Sequence, residues 1–423
     1  MSHALPTIAV LGAGPIGLES ALYGRFLGYE VQVYEREEVG HHISQWGHVH
    51  WFTPFGMNHS PLSAAAIEAQ DPDRKLPGDE EQLTGGEYVD QFLRPLARTD
   101  LLAPSIHPQM EVVSIGRVDS SKADFGGQGQ RDESPFRLLL RDKQGQESVA
   151  EADVVIDATG VYGQHRNLGR SGLPAVGEQA VADAINYRIP QISNGGLSKY
   201  AGRHTLVVGG GYSAATSICA LAELAEREPD TRITWVVRHP RGETGPMRCV
   251  PEDPLKHRAA LSAAANKWVG CGEMIKYFPG KSVEAVYHKD KQTPFEVVLE
   301  GRDGEKDVAR IGCDFILGHT GFRPDCSIFE ELQVQLCHVT EGPIRLASHL
   351  LNTRGSDCLS QTMPATDRLQ TSEPDFYIAG IKSYGRDPTF LLSIGLEQIR
   401  QIFALISGNP ALNIYQSIKS NFS

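Results

Sequence analysis

Thr7-Ile8-Ala9-Val10-Leu11-Gly12-Ala13-Gly14-Pro15-Ile16-Gly17 is the stretch that decides the fold. A mostly apolar run enters a turn with three glycines spaced G-x-G-x-x-G, and a helix-like stretch follows. In that spacing the first glycine bends the chain sharply. The second lets backbone approach a pyrophosphate at the helix N-terminus, and the third lets helix and strand pack closely. Almost two hundred residues later the pattern recurs, as Thr205-Leu206-Val207-Val208 followed by Gly209-Gly210-Gly211-Tyr212-Ser213-Ala214. Alanine at the third position is compatible with helix–strand packing. One such turn is weak evidence. Two, each with a second strand in register, predict a chain that binds two dinucleotides.

The copies differ where a ribose would lie. After the first turn a helix runs to about Leu27, and the strand Val31–Glu35 ends in a carboxylate eighteen residues beyond Gly17, with Arg36 next. An acid there accepts both ribose hydroxyls and repels a 2′-phosphate, which suits FAD or NAD. After the second turn a helix runs to about Glu226, and the strand Arg232–Arg238 continues into His239-Pro240-Arg241 with no acid. Arg238 and Arg241 suit the 2′-phosphate of NADPH. Each copy then carries a predicted hairpin returning to its nucleotide. The first pairs Phe136–Leu140 with Ala152–Ile156 and ends at Asp157-Ala158-Thr159-Gly160. The second pairs Phe295–Leu299 with Cys313–Leu317 and ends at Gly318-His319-Thr320-Gly321.

Composition sets the frame. With 423 residues, 40% hydrophobic and 22% charged, the chain is long enough for two or three domains. A formal charge of -12 argues against a nucleic-acid groove or a polybasic membrane anchor. No apolar run approaches a membrane span, and the N-terminus lacks a basic leader, so the cytoplasm is the expected compartment. The seven cysteines (Cys219, Cys249, Cys271, Cys313, Cys326, Cys337 and Cys358) include no CxxC pair. That disfavours a disulfide framework and a dithiol reductase.

Gly12–Gly17 with Glu35, Asp157–Gly160, Gly209–Ala215 and His319–Asp325 together resemble the two-dinucleotide-binding-domain flavoproteins, and within them the flavin-containing and N-hydroxylating monooxygenases. The resemblance implies an α/β protein of two Rossmann-like domains, the NADPH domain (201–324) inserted in a discontinuous FAD domain (1–200 and 325–423). Ala158, Thr159 and Gly160, with Thr320 and Gly321, look like the segments lining the junction between FAD and NADPH. Phe376–Gly380, followed by Ile381 and by Leu391 and Leu392, looks like the last flavin motif, where a helix N-terminus faces the ring. Two departures separate the chain from the group. Its linker fingerprint is absent between Gly160 and Thr205, and the acid usual in the last motif is replaced in Gly380-Ile381-Lys382-Ser383.

The loop from Gly40 to Ser63 holds His41, His42, Trp46, His48, His50, Trp51, Phe52, Phe55, Asn58 and His59. Five histidines invite a metal site, yet no carboxylate or thiolate lies among them. The functional alternative is a flavin-facing wall with Trp46 near the ring, and Asn58 resembles the group's active-site asparagine. Plain aromatic packing remains equally open. Arg386 and Lys382 are candidate anion binders, or local partners of nearby acids.

The resemblance implies an FAD-dependent, NADPH-using monooxygenase. It would form a C4a-hydroperoxyflavin with O2 and oxidise a small nitrogen- or sulfur-containing substrate. A reductase or dehydrogenase serving another acceptor, and a non-catalytic FAD/NADP(H)-binding sensor, are the alternatives.

Overall fold

The computed structural model describes residues 5–124, 131–192, 198–240, 242, 245–270, 274–289, 294–301, 308–352 and 357–422. The chain divides into two compact units. One comprises Met1–Gly47, Thr53–Gln164 and Arg323–Ser423, and the other His48–Phe52 and His165–Phe322.

The first unit begins with strand β1 (Thr7–Leu11), helix α1 (Pro15–Phe26) and strand β2 (Glu30–Tyr34). It continues through β3 (Ile106–His107), β4 (Met110–Arg117), β5 (Phe136–Asp142), β6 (Glu147–Ala152) and β7 (Val154–Asp157). The second unit holds β8 (His204–Val208), β9 (Arg232–Val237), β10 (Ile275–Pro279), β11 (Lys281–His288), β12 (Phe295–Gly301), β13 (Ala309–Cys313) and β14 (Phe315–Gly318). Strand β15 (Phe376–Ile378) returns to the first unit.

In the first unit a parallel sheet runs β15-β7-β1-β2-β3, with Val10 opposite both Val33 and Ile156. The strands β1 and β7 are almost wholly buried, as strands covered on both faces must be. The chain leaves β1 towards β2 on one side and later adds β7 on the other. The carboxyl end of β1 is therefore the switch point where α/β sheets bind ligands. A second, antiparallel sheet β4-β5-β6 packs Ile115, Phe136, Leu138 and Leu140 with Leu11, Val155 and Phe376 in one core.

The second unit repeats the plan. Its parallel sheet runs β10-β9-β8-β14, and β11-β12-β13 form the antiparallel partner. Helix Tyr212–Arg227 buries Ala214, Ile218, Leu221, Ala222 and Ala225, a helical stripe that joins Val207 and Trp235 in one core.

Three sequence expectations are revised. The hairpin partner of β5 is Glu147–Ala152, not Ala152–Ile156, and Val154–Asp157 is a separate strand parallel to β1. In the same way β12 pairs with Ala309–Cys313 and with β11, while Phe315–Gly318 lies parallel to β8. The half-polar run Glu147–Ala152 suits one solvated face, whereas the unbroken apolar run after it suits a buried sheet. The third concerns the boundary. The first unit ends at Gln164 and not at residue 200, and it resumes at Arg323. The segment after Gln164 packs with the second unit through bridges from Gly169 to Val283, from Val176 to Ala285 and from Asn186 to Leu317. Within the segment, buried Glu178 accepts from Leu168 N, Ala175 N and Tyr187 Oη.

Candidate functional site

Each glycine of the first turn has a distinct job. Gly12 sits at φ +91°, where side chains are strained, and a Cβ there would stand 3.0 Å from Ala158 O. A Cβ on Gly17 would lie 1.8 Å from Gly12 O, so the helix can approach the turn only without a side chain. Gly14 is different. It is the N-cap of α1 in an extended conformation, makes no side-chain cap, and a Cβ there would meet nothing within 4 Å. The first amides of α1 therefore face open space, and the partial positive charge of the helix end is unmasked. Pro15 at the first helical position removes one surplus donor. Ile16 packs beneath the turn, 3.2 Å from where a Cβ of Gly380 would be.

Beside this turn lies an open cleft. Gly12, Glu35, Arg36, Thr159 and Gly160 line it, together with His42, Glu111, Asp325 and Lys382. Glu35 Oε2 accepts from Ala13 N at 2.7 Å and Oε1 from Glu37 N at 2.9 Å. Each oxygen keeps a second lone pair for a ribose hydroxyl. Arg36 is half exposed, 4.0 Å from Glu111. These residues fit an adenine dinucleotide: an open helix end for the pyrophosphate, and a fixed carboxylate for the ribose.

Lys382 belongs to the same cleft. Its Nζ lies 2.6 Å from Asp157 Oδ2 and donates to Thr159 Oγ1 at 2.9 Å, with both charged side chains essentially unexposed. Asp157 Oδ1 in turn accepts from Thr159 N and Oγ1. Lys382 thus has its own buried counter-charge 225 positions earlier in the chain. Lys382 was visible in the sequence as an anion binder or local partner of an acid, but which acid was not.

The second turn repeats the geometry. Gly209 has φ +138°, and a Cβ there would lie 2.1 Å from His319 O. Gly211 is an extended N-cap with no side-chain cap, and a Cβ there would meet nothing within 4 Å. Tyr212 and Ser213 begin the helix, with Ala214 fully buried at the third position. Two supports went unread in the sequence. Buried Trp235 donates from Nε1 to Gly209 O at 2.7 Å, pinning the turn to β9. His319 shares a 2.8 Å hydrogen bond with Ser217 Oγ, and burial lowers its pKa to about 4, which keeps it neutral near pH 7. Thr320 donates to Arg166 O, Gly321 sits at φ +90°, and Arg238 is exposed just after β9. Arg241 lies outside the described residues.

Other expected site residues are placed elsewhere in their own units. Asn58 is buried in the first unit and closes its loop: Oδ1 accepts from Thr53 Oγ1 at 2.8 Å, and Nδ2 donates to Thr53 O at 3.1 Å. Trp46 packs over Gly85 and near Tyr162. Neither lines the cleft, and Ile381, Leu391 and Leu392 do not either. Ile381 is close to Gly160, and Leu391 caps helix Leu392–Ile406. The histidine loop is divided between the units. His41 and His42 stay with the first, while His50 meets His257 and Phe52 meets Tyr212 edge-to-face in the second. No group of three potential ligands that could hold a metal occurs among the described residues. Arg386 pairs with Glu341 at 2.6 Å, the local role rather than a free anion site.

No protein-family model matches the chain, and no curated protein sequence matches it. Solved structures do. Bacillithiol disulfide reductase Bdr (YpdA) from Bacillus cereus superposes with a TM-score of 0.67 at 17% identity, over 95% of this chain and 99% of that one. Ornithine hydroxylase (PvdA) from Pseudomonas aeruginosa gives 0.60 at 13%, over 96% and 100%. T. acidophilum thioredoxin reductase gives 0.58 at 16%, over 96% and 99%. The chain has the two-dinucleotide-binding-domain fold. Proteins similar to it in that fold include both disulfide reductases and an amino-acid hydroxylase, so the fold leaves the reaction open. Among the described residues no helix is long and apolar enough to cross a membrane.

Proposed function

We propose that this chain is an oxidoreductase that holds FAD in its first unit and NADPH in its second. The observation that carries the reading is the pair of N-cap glycines, Gly14 and Gly211. Each opens a long helix at the end of a central parallel strand, and at each a Cβ would meet nothing within 4 Å. Glu35 assigns the non-phosphorylated ribose to the first unit, and Arg238 assigns the 2′-phosphate to the second. When bound, FAD supplies two-electron acceptance from a reduced nicotinamide and delivery to an acceptor. The protein's part is to hold the carriers. Gly12 and Gly209 bend the backbone away, α1 and helix Tyr212–Arg227 present their amides, and Trp235 and Thr159 fix the surrounding loops.

We place the chain among monooxygenases of small nitrogen- or sulfur-containing substrates, with O2 as acceptor. The lack of a CxxC pair supports this over dithiol reduction, and three of the thiols are held protonated by burial. Burial pushes Cys219 and Cys313 up to about 12 and Cys326 up to about 11, so near neutral pH these thiols stay protonated and poorly nucleophilic. A reductase serving an external acceptor is the second reading, favoured by the likeness to a bacillithiol disulfide reductase. Purified protein titrated with NADPH under nitrogen, then given isotopically labelled O2 and a panel of amines and thioethers, separates them. Label in the product supports the monooxygenase. Reduction of an added disulfide or quinone that proceeds equally without O2 supports the reductase. Protein that takes up no flavin refutes both.

A further inference from the structure

Glu19 is a buried acid on α1 that the nucleotide site does not use, and three elements of the first unit seal it. α1 itself carries it, two residues beyond Gly17. Ser60, the N-cap of helix Pro61–Gln70, donates from Oγ to Glu19 Oε1 at 2.7 Å, and the same hydroxyl accepts from Ser63 N at 2.9 Å. Tyr415, on the C-terminal helix Ile414–Phe422, donates from Oη to Glu19 Oε1 at 2.9 Å. Among the described residues no cation pairs with Glu19. Two hydroxyls on one oxygen do not replace the water that an ionised carboxylate would lose, so the site suits the protonated acid.

Of the three elements, the C-terminal helix is the one able to leave. It has nine residues, too few for a stable helix alone in water, so it depends on its docking. It is anchored at its start. Ile414 is buried and its N–H donates to Tyr23 Oη at 3.1 Å, while the Tyr415 ring meets the Tyr23 ring edge-on at 5.2 Å. Just before it, Leu412 O accepts from Arg400 Nη1 at 3.1 Å. Glu19 and Tyr23 are one turn apart on α1, so both contacts fall on one face of that helix.

The other titratable groups around Glu19 keep their charge state near neutral pH. Burial raises Tyr23 on α1, Tyr88 from the segment packed beside Asn58, and Tyr415, so all three stay protonated. Arg400 is held charged by its hydrogen bonds to Glu397, on the same helix Leu392–Ile406. Glu19 is left as the group that changes.

We propose that the C-terminal helix is a pH-gated latch on α1: it stays docked while Glu19 keeps its proton, and it lifts when Glu19 ionises and water enters to solvate the carboxylate. Docked, burial holds the carboxyl at about 7, against 4.5 for a solvated one. The open form therefore binds the proton less tightly, and opening is favoured as pH rises from 4.5 towards 7. That gap sets a ceiling of about 300-fold on the change in the opening constant, of which roughly tenfold falls between about pH 6 and about pH 8.

Hydrogen exchange of the full-length protein, corrected at each pH for the intrinsic rate of a free amide, tests the latch. Peptides covering the C-terminal helix are compared with peptides covering β1. In wild type the helix should open more readily than β1, and its opening constant should rise roughly tenfold from about pH 6 to about pH 8. Glu19→Gln should abolish that rise. Tyr415→Phe should open the helix roughly three- to tenfold more at both pH values while keeping the slope, as expected for one lost hydrogen bond. A helix that exchanges in step with β1 would make Glu19 a matter of global stability alone and overturn the latch. So would an opening constant indifferent to pH in wild type, or a slope that survives in Glu19→Gln.

Discussion

Glu19 offers a quantitative test of how the first unit is held together. It lies on α1, two residues beyond Gly17, and is 2% exposed. Its Oε1 accepts from Ser60 Oγ at 2.7 Å and from Tyr415 Oη at 2.9 Å, joining the nucleotide helix to the loop before Pro61 and to the C-terminal helix. Burial is the dominant influence and pushes its carboxyl from 4.5 up to about 7, although the hydrogen bonds pull the other way. The folded state therefore holds this proton more tightly than the unfolded chain. From pH 4.5 towards 7 the unfolded carboxyl ionises first, and stability drains away as pH rises. At about 1.36 kcal/mol per pH unit, the full penalty above neutrality is about 3 kcal/mol. Glu19→Gln keeps an oxygen for Ser60 and Tyr415 and cannot ionise. Thermal unfolding of both proteins, followed from about pH 5 to about pH 8, should show similar midpoints at the acid end. By the alkaline end the variant should melt roughly 5–10 °C higher. Taking the difference between the two proteins cancels every other titrating group. A difference that does not change with pH would refute the burial argument.

Four further outcomes follow from the site and the core. Gly17→Ala should fail to fold or lose several kcal/mol, about the largest loss single substitutions give, because its Cβ collides with Gly12 O. Gly14→Val should melt within about 2 °C of the flavin-free wild type, as expected where an added Cβ meets nothing within 4 Å, yet purify colourless. Absorbance at the flavin bands and a melting curve read both. Arg238→Ala should raise the KM for NADPH about tenfold or more and leave NADH unchanged, the loss of one charge-assisted contact; equal effects on both would reject the phosphate role. Glu373 is unexposed and shared by Arg117 at 2.8 Å and Arg131 at 3.2 Å. Glu373→Ala strands two buried guanidinium groups and should cost about 3–5 kcal/mol in denaturant unfolding.

What could be read from sequence was whatever acts over a few residues. The turn at Gly12–Gly17 was legible because a positive φ and a helix packed against its own turn admit only glycine, and that requirement sits within six positions. Its copy at Gly209 was legible for the same reason, and so was Glu35, whose place is fixed by one strand–helix–strand unit. The strands themselves were found, but two hairpin partners were misassigned. An apolar run gives its burial and leaves open whether it pairs antiparallel in a hairpin or parallel in the central sheet. Tertiary structure alone decided that pairing, and also that the residues after Gln164 join the second unit. It likewise spent the side-chain amide of Asn58 on Thr53 and closed the distance between Lys382 and Asp157. Those outcomes rest on groups brought together across loops of tens or hundreds of residues, where direct contact, burial and charge decide and local spacing carries no information.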